Sequence, residues 1–308
     1  MPDPLIKTFN NKAFILFKII RPHNWIKNTF VYAPLVFSGR FTNINMCFKA
    51  TSAFICFCMV SSAIYAINDV FDRFEDRQHP TKKFRPIASG AVKLSTAILL
   101  GVILVISALA IACFLNRLVV LSLLIYIIIN MAYSSVIKHI VILDVLVISF
   151  GFVLRIVSGG MAISVIPSYW LILCTVMISL FLGFTKRRVE LLAFNFEKNN
   201  SRLVLKDYSI AFLDQVIPIV TGATILAYAL YTVDAHTQMV LGTRAMLLTL
   251  PFVIYGLLRY LYIIYHLKRG ADPTETLIHD IPTIINLLLW VVTSFLVVLY
   301  GDKFDYIQ

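Results

Sequence analysis

Four oxygen-bearing side chains recur at helical spacing in one short stretch of the chain. They are Asn68, Asp69, Asp72 and Asp76. At 100° per residue they fall within an arc of about 100° on one helix face. Converging carboxylate and amide oxygens suit a hard cation such as Mg²⁺, which completes its shell with water and phosphate. The competing interpretation is a solvated helix end whose acids pair with Arg73 and Arg77.

A basic loop follows this acidic face directly. Arg77, Lys82, Lys83 and Arg85 lie within nine residues of one another, and two prolines and a glycine stiffen the segment. An acidic face beside a basic loop is the local arrangement expected for a magnesium-bound diphosphate, with metal on one side and cations on the other. Alone, such a run of cations would more often mark a loop on the inner side of a membrane.

The composition indicates an integral membrane protein. Hydrophobic residues make up 59% of the 308 residues, charged residues only 14%, and the mean hydropathy is +0.85. Soluble domains lie nearer 45–50% apolar and about 25% charged. Five cysteines lie in apolar runs without a CxxC pair, which excludes a zinc site or disulfide framework of the usual spacing. We read the net charge of +11 as a topology signal and predict no nucleic-acid partner.

Long apolar runs divide the chain into spans and loops. We predict nine spans, at 24–39, 47–69, 95–115, 118–136, 141–162, 167–185, 215–233, 243–266 and 283–300. These runs do not alternate as barrel strands do, so helices are expected. We interpret residues 1–23 as an amphipathic segment on the cytoplasmic membrane surface rather than a cleavable signal peptide.

The cations distribute unequally between the two sides of these spans. The side of the N-terminus carries 21 of the 27 Lys and Arg residues, the opposite side carries five, and Arg155 lies inside the fifth span. By the positive-inside rule the N-terminus is cytoplasmic, and so are the long loops 70–94, 186–214 and 267–282. The chemistry is therefore expected at the cytoplasmic mouth of a helical bundle, in a multi-pass protein of the inner (cytoplasmic) membrane.

The motifs resemble those of a known family. The NDxxDxxxD run from Asn68 and the HPTKxxRPIASG loop from His79 resemble the UbiA superfamily of intramembrane prenyltransferases. The resemblance implies an all-α membrane protein with a nine-transmembrane-helix UbiA-type bundle, forming a single domain over residues 1–308. It also implies acidic motifs on cytoplasmic loops and Mg²⁺ as the cofactor.

Further segments resemble one branch, the decaprenyl-phosphate phosphoribosyltransferases. These segments are RPHNWIKN from Arg21, YSSVIKH from Tyr133, KRRVEL from Lys186, and PTE from Pro273 with Asp280. The branch joins 5-phosphoribosyl 1-diphosphate to a polyprenyl phosphate. Aromatic prenyltransferases of the superfamily usually carry a second Asp-rich motif after the sixth helix, where this chain has cations and one acid, Glu190. Cations at that place suit a donor with phosphates at both ends.

The resemblance assigns roles to the site residues. Asn68, Asp72 and Asp76 would hold Mg²⁺, and Asp69, Asp72 and Asp76 would carry catalysis. Substrate phosphates would be bound by Lys27, Arg77, Lys82, Arg85, Tyr133, Lys138, Lys186, Arg187 and Arg188. The acceptor phosphate would attack the ribose C1 with inversion and needs no strong general base, because it is already anionic. A homo-oligomer is compatible with this interpretation.

Two alternatives stay open. One is a UbiA-type aromatic prenyltransferase with a prenyl diphosphate donor. The other is a transporter of an anionic solute, in which the same charges would line a pathway. Transporters of that kind often have two matching halves, and the pattern of residues 68–90 has no copy in the second half. Arg155 could be functional, or could simply be satisfied by backbone carbonyls within the membrane.

Overall fold

The structure, a computed structural model, describes residues 12–78, 82–196, 203–267 and 279–304, and every regular element within these ranges is helical. Eight helices are long and apolar enough to cross a membrane. They are α3 (Ile44–Phe71), α5 (Leu94–Leu115), α6 (Arg117–Ser135), α7 (Leu143–Ala162), α8 (Tyr169–Phe196), α9 (Ile210–Val233), α11 (Leu250–Tyr265, with the 3₁₀ turn Ala245–Thr249 before it) and α12 (Ile281–Phe304). They correspond to the second to ninth predicted spans.

The first predicted span, 24–39, has a different geometry. A 3₁₀-helix covers Pro22–Tyr32 and continues into the short helix α2 (Ala33–Phe37). It runs antiparallel to α3, since Trp25 donates to Ser62 and Tyr32 donates to Thr51. A 3₁₀-helix rises about 2.0 Å per residue, so these few residues reach further than an α-helix would. By length and composition, eight helices of the described residues qualify as spans, and the ninth predicted span stays a prediction.

Close backbone packing fixes this segment against α7. A side chain at Gly159 would collide with the backbone carbonyl of Val31, so only glycine allows the two backbones to approach. Gly183 of α8 leaves room for the side chain of Val145 on α7. Small residues at helix crossings permit such contacts within a membrane.

The remaining described elements are short and lie between the spans. They are α1 (Lys12–Ile20), α4 (Arg73–Gln78), α10 (Ala235–Leu241) and 3₁₀ turns at Lys82–Phe84, Ile137–His139 and Leu203–Lys206. The predicted acidic helix is divided between α3 and α4, because Asp72 ends α3. The backbone bonds from Asp72 N to Asn68 O and from Asp76 N to Asp72 O, both 2.8 Å, still carry helical spacing across the junction.

Two apolar clusters hold the bundle together. One joins the 3₁₀ segment, α3, α5, α6 and α7 around Phe57 and Leu123. The other joins α7, α8, α9 and α11 around Phe181 and Ile217. Helix α7 belongs to both clusters and so connects the two halves. A large cavity lies between the halves and is lined by residues from each.

Candidate active site

The cavity has a volume of about 1830 Å³ and a strongly charged end. Eleven of the residues predicted for the site line it: Lys27, Asn68, Asp69, Asp72, Asp76, Lys82, Arg85, Tyr133, Lys138, Lys186 and Arg187. They come from the ends of the second, fourth and sixth predicted spans, from the loop after the second, and from the 3₁₀ segment. The structure thus brings these groups to the same end of the bundle. This agrees with the alternation of the spans, which places the ends of the second, fourth and sixth on one side.

Basic side chains outnumber acidic side chains in the lining of the cavity. The described lining residues include nine Lys or Arg side chains and five Asp or Glu side chains. A phosphate monoester carries a charge of about −1.5 to −2 at pH 7. The cavity is therefore suited to a ligand with several phosphate groups rather than to a neutral one.

Arginines cover two carboxylates of the acidic face. Arg21 binds both oxygens of Asp69 through Nη2, at 2.7 Å from Oδ2. Arg85 Nη1 lies 3.1 Å from Asp69 Oδ1 and 2.7 Å from Asp76 Oδ2, and so joins the two acids. The side chains of Asp69 and Asp76 are only 5% and 4% exposed.

Asp72 is the open carboxylate of the face. Its side chain is 37% exposed, and Lys138 Nζ lies 3.6 Å from its Oδ1. The amide of Asn68, one helical turn earlier, also lines the cavity. Both residues line the cavity, and the exposed carboxylate of Asp72 is accessible from it.

The acidic face carries oxygen donors of the kind that bind a hard metal ion. Among the described residues, no three His, Cys, Asp or Glu side chains are grouped as a metal site. Asn68 and Asp72 nevertheless supply hard oxygen donors to one cavity, and Asp76 lies one turn beyond. Mg²⁺ is held by one or two carboxylates and otherwise by water and substrate phosphate, and this donor set fits that requirement.

Arg187 lies at the centre of a buried ionic network. Its Nε donates to Asp144 Oδ2 and its Nη1 donates to Glu190 Oε2, each at 2.6 Å, while Nη2 lies 3.3 Å from the Tyr133 hydroxyl. Asp144 also accepts a 2.8 Å bond from the Tyr208 hydroxyl. Burial raises the pKa of Tyr208, so this hydroxyl stays a donor. Two acids thus hold Arg187 in place in the cavity wall.

Arg77 and Arg188 do not line the cavity. Arg77 Nε donates to the carbonyl of Ala88 at 2.9 Å, which ties α4 to the following loop. Arg188 Nε donates to Asp214 at 2.6 Å, and its guanidinium stacks on Tyr265. These contacts hold elements together, whereas phosphate binding by Arg77 and Arg188 stays a prediction.

Sequence reasoning did not assign several residues of the wall. Arg21 belongs to the RPHNWIKN segment, and its position there beside Trp25 and Lys27 is the available signal. Lys18 of α1 and His23 also line the cavity. Asp144 lies five residues after the YSSVIKH segment, and nothing local indicates that it pairs with Arg187.

A deeper part of the cavity is mostly apolar and aromatic. Phe37, Cys174, Tyr228, Tyr231 and Trp290 line it. Trp290 Nε1 donates to the Tyr228 hydroxyl at 3.0 Å, and that hydroxyl also bonds to Thr249. A chain of apolar groups could be accommodated there, next to the charged mouth.

Asp280 joins the last two spans at the same end of the bundle. Arg259 donates to it through Nε at 3.0 Å and Nη2 at 2.7 Å. These hydrogen bonds are the main cause that lowers the pKa of Asp280 to about 2. The PTE motif at 273–275 and the residues 79–81 of the basic loop lie outside the described residues.

Comparison with known proteins gives a consistent result. Residues 38–281 match the model of the UbiA prenyltransferase family. A decaprenyl-phosphate phosphoribosyltransferase of Mycolicibacterium smegmatis is 33% identical over 289 residues, with 90% of each chain covered. The protein of the same name from Corynebacterium glutamicum is 31% identical, covering 91% of this chain and 86% of its own length.

Solved structures share the fold at low sequence identity. A UbiA homologue from Archaeoglobus fulgidus bound to GPP and Mg²⁺ has a TM-score of 0.66 and 16% identity, and the match covers 94% of this chain and 98% of that one. The apo UbiA homologue from Aeropyrum pernix K1 has a TM-score of 0.58 and 16% identity, covering 92% of this chain and 98% of that one.

Proposed function

The chain belongs to the UbiA prenyltransferase family and is a multi-pass membrane transferase, and from this premise we propose its reaction. It transfers the 5-phosphoribosyl group from 5-phosphoribosyl 1-diphosphate to a polyprenyl phosphate and releases diphosphate. The expectation of family and of transferase activity is confirmed by the comparisons. The donor, the acceptor and the use of Mg²⁺ are the proposal.

The excess of cations in the cavity carries this proposal. Nine Lys or Arg side chains face five acids, and the curated relatives share the name of a phosphoribosyltransferase. The donor has a diphosphate at C1 and a phosphate at C5, so it needs cations on two sides. Arg85 and Lys138 contact the acidic face and Lys82 lies on the adjoining loop, while Lys186 lines the cavity from α8, a different helix.

The chain's own residues would position the reacting groups. Mg²⁺ at Asn68, Asp72 and Asp76 would neutralise the charge of the diphosphate leaving group. Lys82, Arg85 and Lys138 bind its oxygens and so stabilise the charge that develops as the bond to C1 breaks. Lys186 and Lys27 bind the remaining phosphates. Asp69 holds Arg21 and Arg85 in place.

The acceptor needs only to be aligned. Its phosphate oxygen is anionic at neutral pH and attacks C1 on the face opposite the leaving diphosphate, which inverts that carbon. Holding both reactants in one cavity replaces a bimolecular encounter by a positioned one. The polyprenyl chain of the acceptor extends into the aromatic part of the cavity or into lipid.

We also propose a topology for this domain. The 3₁₀ segment Pro22–Tyr32 with α2 crosses the membrane as a ninth span, since it follows α3 along most of its length. The N-terminus and the mouth then face the cytoplasm, which holds the phosphoribosyl donor, and residues 1–308 form one inner-membrane domain. Arg77 and Arg188 act as positioning residues in this arrangement.

The decisive experiment is a transfer assay. The purified protein is incubated with Mg²⁺, polyprenyl phosphate and the donor labelled in its ribose, and the label is followed into the organic phase. Lipid-extractable label that requires both the acceptor and Mg²⁺ is expected. Transfer from a prenyl diphosphate to an aromatic acceptor, with no transfer of ribose, would contradict the proposal. So would flux of an anion into proteoliposomes without turnover in detergent.

A further inference from the structure

The arginines on the acidic face block the metal ligands that they cover. A cation that enters the cavity meets the exposed carboxylate of Asp72, but Asp69 and Asp76 are almost fully buried beneath Arg21 and Arg85. Arg85 contacts both of these acids with one nitrogen. Asp76 therefore becomes a metal ligand only after Arg85 has moved.

Arg21 is held at this place by its backbone and by a ring. Its φ of 49° lies in the left-handed region, which is unfavourable for a residue with a side chain. The guanidinium stacks on Tyr65, with 5.1 Å from Cζ to the ring centroid. Strained backbone of this kind is found preferentially at functional positions. Arg21 is thus built into the site rather than placed there by a flexible tail.

Both guanidinium groups can reach a ligand without a change of fold. The side chains of Arg21 and Arg85 are 19% and 28% exposed, and both line the cavity. A rotation about side-chain bonds can turn either group from a carboxylate towards a phosphate. Arginine binds phosphate and carboxylate through the same fork of N–H donors.

The charges of the face are already balanced. Asp69, Asp72 and Asp76 are contacted by Arg21, Arg85 and Lys138. A divalent cation alone would displace a guanidinium and leave it without an anion in a poorly solvated mouth, which is costly. A diphosphate that arrives with the metal supplies anions for the displaced arginines.

We propose that Arg21 and Arg85 are exchangeable counter-ions which make the metal site conditional on diphosphate. Free divalent cations bind weakly, and a metal–diphosphate pair binds as a unit: Asn68 and Asp72 contact the metal first, then Arg85 and Arg21 turn to the phosphates and release Asp76. The inference rests on the proposed function, because it takes Asp72 and Asp76 as metal ligands. Arg21 thereby gains a role in donor binding.

Equilibrium dialysis of radioactive Mn²⁺ against the full chain in detergent tests this. Retention is measured with Mn²⁺ alone and with Mn²⁺ plus inorganic diphosphate, which is not turned over. Diphosphate should tighten retention by a factor within the usual range for coupled sites, about 5- to 150-fold. Equal retention under both conditions overturns the proposal, and this comparison needs only the unaltered protein.

Variants identify the residues responsible. Arg85→Gln, and the double variant Arg21→Gln/Arg85→Gln, should bind Mn²⁺ alone about tenfold more tightly and lose most of the effect of diphosphate. Arg73→Gln is the matched control, because Arg73 bonds to the carbonyl of Val70 and stacks on Phe74 without touching an acid. Size-exclusion chromatography shows whether Arg85→Gln is folded like the unaltered protein. If the folded variant gains no affinity for Mn²⁺, the proposal is also overturned.

The outcomes separate this inference from the proposed reaction. Metal retention that depends on diphosphate, in a protein that transfers no ribose, would contradict the reaction and leave the counter-ion exchange intact. Ribose transfer by a protein whose metal retention ignores diphosphate would contradict the exchange alone. Asp72→Asn should lose retention under both conditions, which confirms that the retained Mn²⁺ lies at the acidic face.

Discussion

Arg155 Nε donates a 2.7 Å hydrogen bond to the side-chain oxygen of Asn28, which lies 127 residues earlier in the chain. The same guanidinium donates to the carbonyl of Gly151 and to the Tyr126 hydroxyl, each at 2.7 Å. One buried cation therefore ties the 3₁₀ segment to α6 and α7. The Gly151 bond agrees with the interpretation of an intramembrane arginine satisfied by backbone, and the two side-chain bonds were not foreseen.

Replacing Arg155 should loosen the N-terminal segment. Arg155→Met leaves the oxygen of Asn28 unpaired within the bundle, and a bond to a charged group contributes about 1.5–3 kcal/mol. We expect a clear drop in the thermal unfolding temperature in detergent, and faster proteolysis of residues 22–37. Arg117→Met, at the exposed start of α6, is the control and should change neither. An unchanged unfolding temperature for Arg155→Met would contradict the structural role.

Asp72→Asn should remove most turnover without unfolding the protein. The exposed carboxylate is the accessible metal ligand, and metal stabilisation of the leaving group contributes several kcal/mol, so a loss of at least about 100-fold is expected. Initial rates over a range of Mg²⁺ concentrations measure it, and chelation of Mg²⁺ should have a similar effect on the unaltered protein. Asp207→Asn, exposed and outside the cavity lining, should keep its activity. Near-normal turnover of Asp72→Asn at low Mg²⁺ would exclude the metal assignment.

Lys186→Ala should weaken the binding of the donor more than the binding of the acceptor. Lys186 lines the cavity from α8, where we place a donor phosphate. Loss of a charged hydrogen bond costs about 1.5–3 kcal/mol, so the donor KM should rise about tenfold or more. Lys83→Ala, on the exposed loop beside Phe84, serves as the matched control. If only the acceptor KM rises, our placement of a donor phosphate at Lys186 is wrong.

Arg187→Ala should act first on stability. The side chains of Arg187 and Asp144 are 2% and 0% exposed, so the truncation strands a buried carboxylate. Breaking a buried pair from one side costs about 3–5 kcal/mol. The unfolding temperature should fall far more than for Arg188→Ala, whose partner Asp214 is 37% exposed. Adding Asp144→Asn should restore part of the loss, and an additive double variant would contradict the pairing.

Thiol labelling tests the proposed topology. In a background without the five native cysteines, Ser89→Cys and Asp207→Cys should be protected from an impermeant reagent in intact cells, and His236→Cys should react. His236 is exposed, whereas Thr237 beside it is buried, so His236 is the suitable position on that side. Labelling of Asp207→Cys with protection of Ser89→Cys would place the two loops on opposite sides.

Local patterns predicted those parts of the site that local geometry determines. Helical spacing placed Asn68, Asp72 and Asp76 together, and the alternation of spans brought Lys138 and Lys186 to the same mouth. Apolar runs located the eight spanning helices, although α8 continues to Phe196, beyond its predicted end at residue 185. Pairings across the bundle could not be read in this way, because hydrophobic periodicity gives no information about which polar side chain meets which.

The first span shows the other limit of sequence reasoning. Its 16 described helical residues, Pro22–Phe37, were predicted as an ordinary helix, but most of them form a 3₁₀-helix. The tighter winding follows from packing on α3 and α7, where Gly159 leaves room for the Val31 backbone. Such a contact depends on residues far away in sequence, so no window of local residues reveals it.

The bond between Asn28 and Arg155 has a consequence for biogenesis. The segment Pro22–Phe37 carries Lys27 and Asn28, and it is not among the helices that qualify as membrane spans by length and composition. The partner of Asn28 is synthesised 127 residues later, a delay of roughly 6 to 25 seconds at ordinary elongation rates. If this segment crosses the membrane as proposed, Asn28 has no side-chain partner on α7 during that interval, and we expect stable insertion of the segment only after α7 has been delivered.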